Sequence, residues 1–133
     1  MIIVFDASAM IAFLRNEAGA GIVEALLISE TDTRIAHAIN LCEVYYDFFR
    51  SSDEMTAKSA IADLENLGLI VREDMDRAFW QEVGRYKATN KVSLADCVAI
   101  TLANRVGGEV VTADHHEFDA VASDGICHVR FIR

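Results

Sequence analysis

The sequence predicts a single α/β domain, built as a three-layer α/β/α sandwich around a mainly parallel sheet. Three observations point there. Short β-branched or apolar runs (Ile2–Phe5, Leu69–Val71, Glu109–Thr112) alternate with longer stretches of helical period, the pattern that yields right-handed crossovers. The chain of 133 residues is 53% hydrophobic, enough for one sizeable core, and 25% charged, too little apolar deficit for disorder. It has no proline, and no linker, repeat or low-complexity segment divides residues 1–133.

In order, residues 2–6 read as a buried strand, and Asp6 or Ser8 caps a short helix over residues 9–14. A second helix follows Gly19-Ala20-Gly21, and Arg34-Ile35-Ala36 reads as a short strand. The next helix is expected to bury Ala38, Leu41, Cys42, Tyr45, Phe48 and Phe49 on one stripe. Asp53 caps a helix that Gly68 ends, and a strand occupies residues 69–71. Asp74 or Asp76 opens the helix bearing Phe79, Trp80, Val83 and Tyr86. Ser93 caps the following one, which stops at Gly107-Gly108. A strand over 109–112, a turn or short helix near 116–119 and a last strand over 127–132 complete the chain.

The net charge of −9, from twelve Lys plus Arg against twenty-one Asp plus Glu, argues against non-specific nucleic-acid binding. That argument weakens if several acids are neutralised by metal. Cys42, Cys97 and Cys127 form no CxxC pair and read as reduced, buried thiols, so a cytoplasmic setting is expected. No basic leader and no apolar run of membrane-spanning length is present, so no membrane partner is expected.

Four acids stand out because each is the lone charge in an apolar run: Asp6, Glu43, Asp96 and Asp114. A buried, unpaired carboxylate is costly. If the four converge, repulsion raises their pKa values unless a cation joins them, and all-oxygen ligands suit Mg²⁺ or Mn²⁺. Sites in open α/β sheets form beyond the carboxyl ends of strands, where Asp6 and Asp114 fall. The simpler reading of Ser93-x-x-Asp96 and Asp114-x-x-Glu117 is a pair of capping boxes, and Glu43 could sit on a solvated stripe beside Asp47. His115-His116 lacks the spacing of a zinc pair, and no phosphate-binding glycine loop occurs.

The segments Ile3-Val4-Phe5-Asp6-Ala7-Ser8-Ala9, Asn40-Leu41-Cys42-Glu43-Val44, Ser93-Leu94-Ala95-Asp96-Cys97 and Val111-Thr112-Ala113-Asp114, in this order, resemble the PIN-domain ribonucleases. The similarity is greatest to the VapC-like toxins of toxin–antitoxin pairs. The resemblance implies that Asp6, Glu43, Asp96 and Asp114 bind Mg²⁺ or Mn²⁺ and hydrolyse RNA, leaving a 5′-phosphate and a 3′-hydroxyl. Ser8 and Thr112 match supporting hydroxyls, with Asp119 a further outer acid. Many members carry a Lys shortly after the last acid; here His115-His116-Glu117-Phe118 follows. An antitoxin partner and a homodimer are implied as well. For substrate phosphates the candidates are Arg15, Lys87, Lys91 and Arg105. Alternatives are a non-catalytic PIN-like scaffold and another acid-dependent phosphoryl hydrolase. Haloacid-dehalogenase-type phosphatases need an aspartate where Ser8 stands, and a receiver domain needs a late lysine after a strand. Asp6→Asn and Asp96→Asn are both expected to stop cleavage without unfolding the domain.

Overall fold

The computed structural model describes residues 1–133 as five strands and seven helices. In chain order these are β1 (Ile2–Phe5), α1 (Ala7–Leu14), α2 (Ala20–Leu27), β2 (Thr33–His37), α3 (Ala38–Ser51) and α4 (Glu54–Asn66). There follow β3 (Ile70–Arg72), α5 (Arg77–Thr89), α6 (Leu94–Val106), β4 (Glu109–Thr112), α7 (His115–Ser123) and β5 (His128–Phe131). The sheet order is β3-β2-β1-β4-β5, and every neighbouring pair is parallel. The chain therefore builds outward from β1 first in one direction and later in the other. The strand order reverses between β1 and β4, and the crevice beyond their carboxyl ends is the switch point where such folds place ligands.

β1 is central because its side chains serve both faces. Ile3 and Phe5 enter the layer formed with α1 to α4, and Val4 enters the layer formed with α5 to α7. The register puts Val4 opposite Ile35 on one side and Val110 on the other, so three β-branched residues stack across the middle of the sheet. Helix α6 is buried along most of its length, from Cys97 to Ala103, as its apolar sequence requires. Ser93 caps it, and Gly107, at φ 68°, ends it in the left-handed conformation.

Several elements differ from the sequence expectation. α1 starts at Ala7, two residues early, because Asp6 is the cap and its carboxylate accepts the Ala9 N–H. The segment after Asp114 is a full helix, α7, capped by Asp114. On α3 the buried stripe is Asn40, Leu41, Val44 and Phe48, with Cys42 and Phe49 facing solvent. The expected stripe mixed two faces, because the spacing of 42, 45 and 49 follows the helical period as well as 41, 44 and 48 does. Cys42 is thus an exposed thiol, while Cys97 and Cys127 are buried.

Gly19 introduces α2 at φ 93°, where an added Cβ would lie 2.6 Å from the Ile132 carbonyl oxygen. Both the conformation and the space demand glycine. Gly19→Ala is expected to destabilise the domain by about 2–4 kcal/mol, combining left-handed strain with a backbone clash. A urea unfolding midpoint equal to the native one would refute this.

Candidate metal centre

Asp6 is carried to the end of β1 and is 1% exposed. Its Oδ1 accepts from the Ser8 hydroxyl at 2.8 Å and from the Ala9 N–H at 2.9 Å, and its Oδ2 accepts from the Thr112 hydroxyl. Burial pushes its pKa up to about 6, against the pull of the donors Thr112, Ala9 and Ser8; the nearby Asp114 charge adds to the rise. The two hydroxyls also reach the far strand. Ser8 Oγ accepts the Ala113 N–H at 2.9 Å and Thr112 Oγ1 the Asp114 N–H at 3.0 Å. The end of β1 is thereby stitched to the end of β4, and Asp6 is fixed in one orientation. These bonds also revise the expectation for Asp6→Asn: the residue caps α1 and ties two strands, so its replacement perturbs structure as well as charge.

Asp96 lies in the first turn of α6, half-buried, where its N–H donates to Ser93 Oγ at 3.2 Å. Its pKa is pushed up to about 7, by burial first and then by the charge of Asp6; Ser93 opposes the shift, and Glu43 and Glu117 add to it. Glu43, on α3, is raised as well, by burial, with a hydrogen bond from Asn40 opposing. Asp114 caps α7, accepting the Glu117 N–H at 3.0 Å. Asp96, Asp114 and Glu117 each bring a carboxylate oxygen to within 4.8 Å of the others. None of the ion pairs in the protein involves Asp6, Glu43, Asp96, Asp114 or Glu117. Four elements thus deliver five acids to the β1/β4 switch point, and no Lys or Arg pairs with any of them.

A family model described as a PIN domain matches residues 3–124. The chain belongs to the PIN-domain family. No curated protein matches the sequence. Among solved structures, the fold of this PIN domain is similar to VapBC2 from Rickettsia felis bound to a promoter DNA fragment. That match has a TM-score of 0.73 and 14% identity, over 98% of each chain. DNA-bound VapBC from Salmonella typhimurium gives 0.73 and 14%, over 100% of this chain and 99% of that one. Mycobacterium tuberculosis VapC20, described as a sarcin–ricin loop cleaving toxin, gives 0.72 and 16%, over 96% and 98%. At these identities the likeness establishes the shared fold.

Glu117 is the acid of this PIN domain that sequence reasoning left out, because Asp114-x-x-Glu117 reads as a capping box. The forward half of that motif forms, but the return half does not. Glu117 Oε2 instead accepts the Ser93 N–H at 3.2 Å, across to the start of α6. The same carboxylate therefore serves the α6 N-terminus and the acidic cluster, where the helix dipole also favours negative charge. Its position three residues after Asp114 was the available signal.

Other expected residues lie elsewhere. Asp119 turns away from the cluster to His115, at 2.7 Å, while the His115 ring also bonds the Arg133 carbonyl and stacks on Phe131. Arg105 is bound into ion pairs with Asp74 and Asp76 at the opposite end of α6, roughly 13 Å along the helix from Asp96. Arg15 pairs with Asp47 at 2.7 Å and lies over the Phe48 ring. Lys87 donates to the Val92 carbonyl at 3.0 Å, fastening the loop that enters α6. Lys91, exposed in that loop, has no ion-pair partner and is the cation of the four left free for a phosphate.

The donor set fits a hard divalent cation. Every candidate donor atom is a carboxylate oxygen, the hydroxyls of Ser8 and Thr112 are occupied in holding Asp6, and burial first, then the neighbouring acids, raise the pKa values of Asp6 and Asp96, a cost that a cation would relieve. Cys97 is buried at the Val92 carbonyl and His115 is engaged elsewhere, so no soft or nitrogen ligand enters the cluster.

Proposed function

We propose that this PIN domain is an Mg²⁺- or Mn²⁺-dependent endoribonuclease, the toxin of a toxin–antitoxin pair. The observation that carries this reading is the meeting of Asp96, Asp114 and Glu117 oxygens within 4.8 Å, beside Asp6 and Glu43, with no cationic side chain paired to them. Asp6, Glu43, Asp96, Asp114 and Glu117 would hold the ion. A divalent ion bound by carboxylates supplies positive charge that acidifies a bound water and offsets the negative charge building on a phosphodiester under attack. The protein's own part is positional. Ser8 and Thr112 lock Asp6, Ser93 sets the first turn of α6 and with it Asp96, and Asp114 is held by the start of α7. No Ser, Thr or Cys side chain is free in the cluster to act as nucleophile, so water attacks phosphorus. The bond to the 3′ oxygen breaks, leaving a 3′-hydroxyl and a 5′-phosphate. Lys91, at the rim of the loop entering α6, steers a phosphate of the substrate.

Two partners follow from the same reading. The matched relatives from Rickettsia felis and Salmonella typhimurium are VapBC complexes, which supports an antitoxin for this chain. A second copy of the chain covers the apolar hollow of about 440 Å³ between α3, α5 and the start of α6, where Ile39, Tyr46, Met75, Trp80 and Leu94 are exposed. No helix is long and apolar enough to cross a membrane, and the protein acts in the cytoplasm, where its RNA substrates are.

The test is cleavage of a broad panel of structured RNAs by the purified, partner-free protein. Products bearing 5′-phosphates are expected with Mn²⁺ or Mg²⁺ and not with EDTA. Equal cleavage in EDTA, or products ending in cyclic phosphates, would contradict the reading. No cleavage across the panel together with no Mn²⁺ binding would favour a PIN-like scaffold instead.

A further inference from the structure

Asn40 is a polar residue in the core with no evident reason to be there. It lies in the first turn of α3, is 0% exposed, and shares the buried face with Leu41, Val44 and Phe48. Its Oδ1 has no hydrogen-bond partner. A buried amide left half-satisfied costs on the order of 1–3 kcal/mol, and an apolar side chain of similar size would avoid that cost. Stability alone therefore does not account for an asparagine at this position.

What the side chain does touch belongs to the acidic centre. Its Nδ2 donates to the carbonyl of Ala95, the residue before Asp96, at 3.2 Å. The same amide faces the carboxylate of Glu43, one turn further along α3, and opposes the rise that burial imposes on its pKa. One donor group thus joins the helix that carries Glu43 to the turn that carries Asp96. Glu43 is half-buried among the charges of the other acids, and no ion pair holds it inward.

We propose that Asn40 is a positioning residue for the metal centre: its amide, anchored on the Ala95 carbonyl beside Asp96, faces the Glu43 carboxylate and keeps it turned toward Asp96. This rests on the metal-dependent reading above. Asn40 acts through Glu43, so its contribution is one of preorganisation, and its loss lowers affinity for the ion while leaving the fold intact.

The experiment is a titration of free Mn²⁺, read by its electron paramagnetic resonance signal, into the full chain well below its melting temperature. Wild type, Asn40→Leu, Glu43→Gln and the double variant are compared, with Asn40→Ala in place of Asn40→Leu should the latter not fold. Asn40→Leu is expected to weaken Mn²⁺ binding about tenfold or more, the scale of an outer-shell partner, while its metal-free melting temperature equals or exceeds that of wild type. In the Glu43→Gln background the same change is expected to have little further effect, because the interaction it removes is already lost. Affinity within twofold of wild type in the folded Asn40 variant would overturn the proposal and leave the metal-centre reading standing. An undiminished effect in the Glu43→Gln background would also overturn it, since a general packing defect does not depend on Glu43. Absence of Mn²⁺ binding by wild type would overturn both.

Discussion

Asp96→Asn is expected to reduce RNA cleavage by more than about a hundredfold, beyond the loss typical of an outer-shell partner, and to leave the folded domain as stable as before or more so. The reason is that Asp96 contributes charge to the centre and little to the fold. Its carboxylate is half-buried, its pKa is driven up to about 7 by burial and by Asp6, Glu43 and Glu117, and it takes part in no ion pair. The cap of α6 is made by Ser93 to the backbone N–H of Asp96, which asparagine retains. Asparagine keeps the shape, removes one of the repelling charges, and removes an anionic ligand. Thermal unfolding without metal separates this from a folding defect: a melting temperature several degrees below wild type would contradict the account. Asp6→Asn is the poorer probe, since Asp6 also caps α1 and accepts from Ser8 and Thr112.

Stability of the metal-free protein is expected to fall as pH rises from about 4 to 7. The sign follows from the direction of the shifts. Asp6 and Asp96 have native pKa values of about 6 and about 7, above the ordinary 3.8 they regain on unfolding. Between these values the native state holds more protons than the unfolded state, so raising the pH favours unfolding. The stabilising contribution is complete below the ordinary carboxylate range and is lost as pH passes through the native values. For the fully buried Asp6 the shift corresponds to about 3 kcal/mol. Saturating Mg²⁺ is expected to reverse the trend, because the ion displaces those protons and binds the native state alone. Urea unfolding at pH 5 and pH 7.5, with and without Mg²⁺, measures it. A metal-free protein more stable at pH 7.5 than at pH 5 would contradict the electrostatic description of the site.

The legibility of these features follows from how local each one is. Asp6, Glu43, Asp96 and Asp114 could be picked out because each interrupts an apolar run. The Ser93 cap and the Gly107 stop could be read because caps are made within a few residues. The parallel direction of the strands followed from their alternation with helices, and the sheet proved wholly parallel, whereas the strand order was visible only in the structure. The roles of Glu117 and Asn40 were hidden because their partners are 24 and 55 residues away. Arg105 looked like a free cation for the same reason, since its acids lie 29 and 31 residues back. The α3 stripe was misplaced because Tyr45, Phe49 and Cys42 repeat with the same period as the true buried face, and only packing against α4 and α6 decides between them.

The most direct test of the central claim is a calorimetric titration of Mn²⁺ into the partner-free protein near pH 6.5, repeated in buffers of different ionisation enthalpy so that released protons are counted. A carboxylate centre with native pKa values of about 6 and about 7 predicts specific binding accompanied by release of a substantial fraction of a proton, both lost in Asp96→Asn. Binding without proton release, or equal binding by Asp96→Asn, would mean that the ion does not sit among these acids.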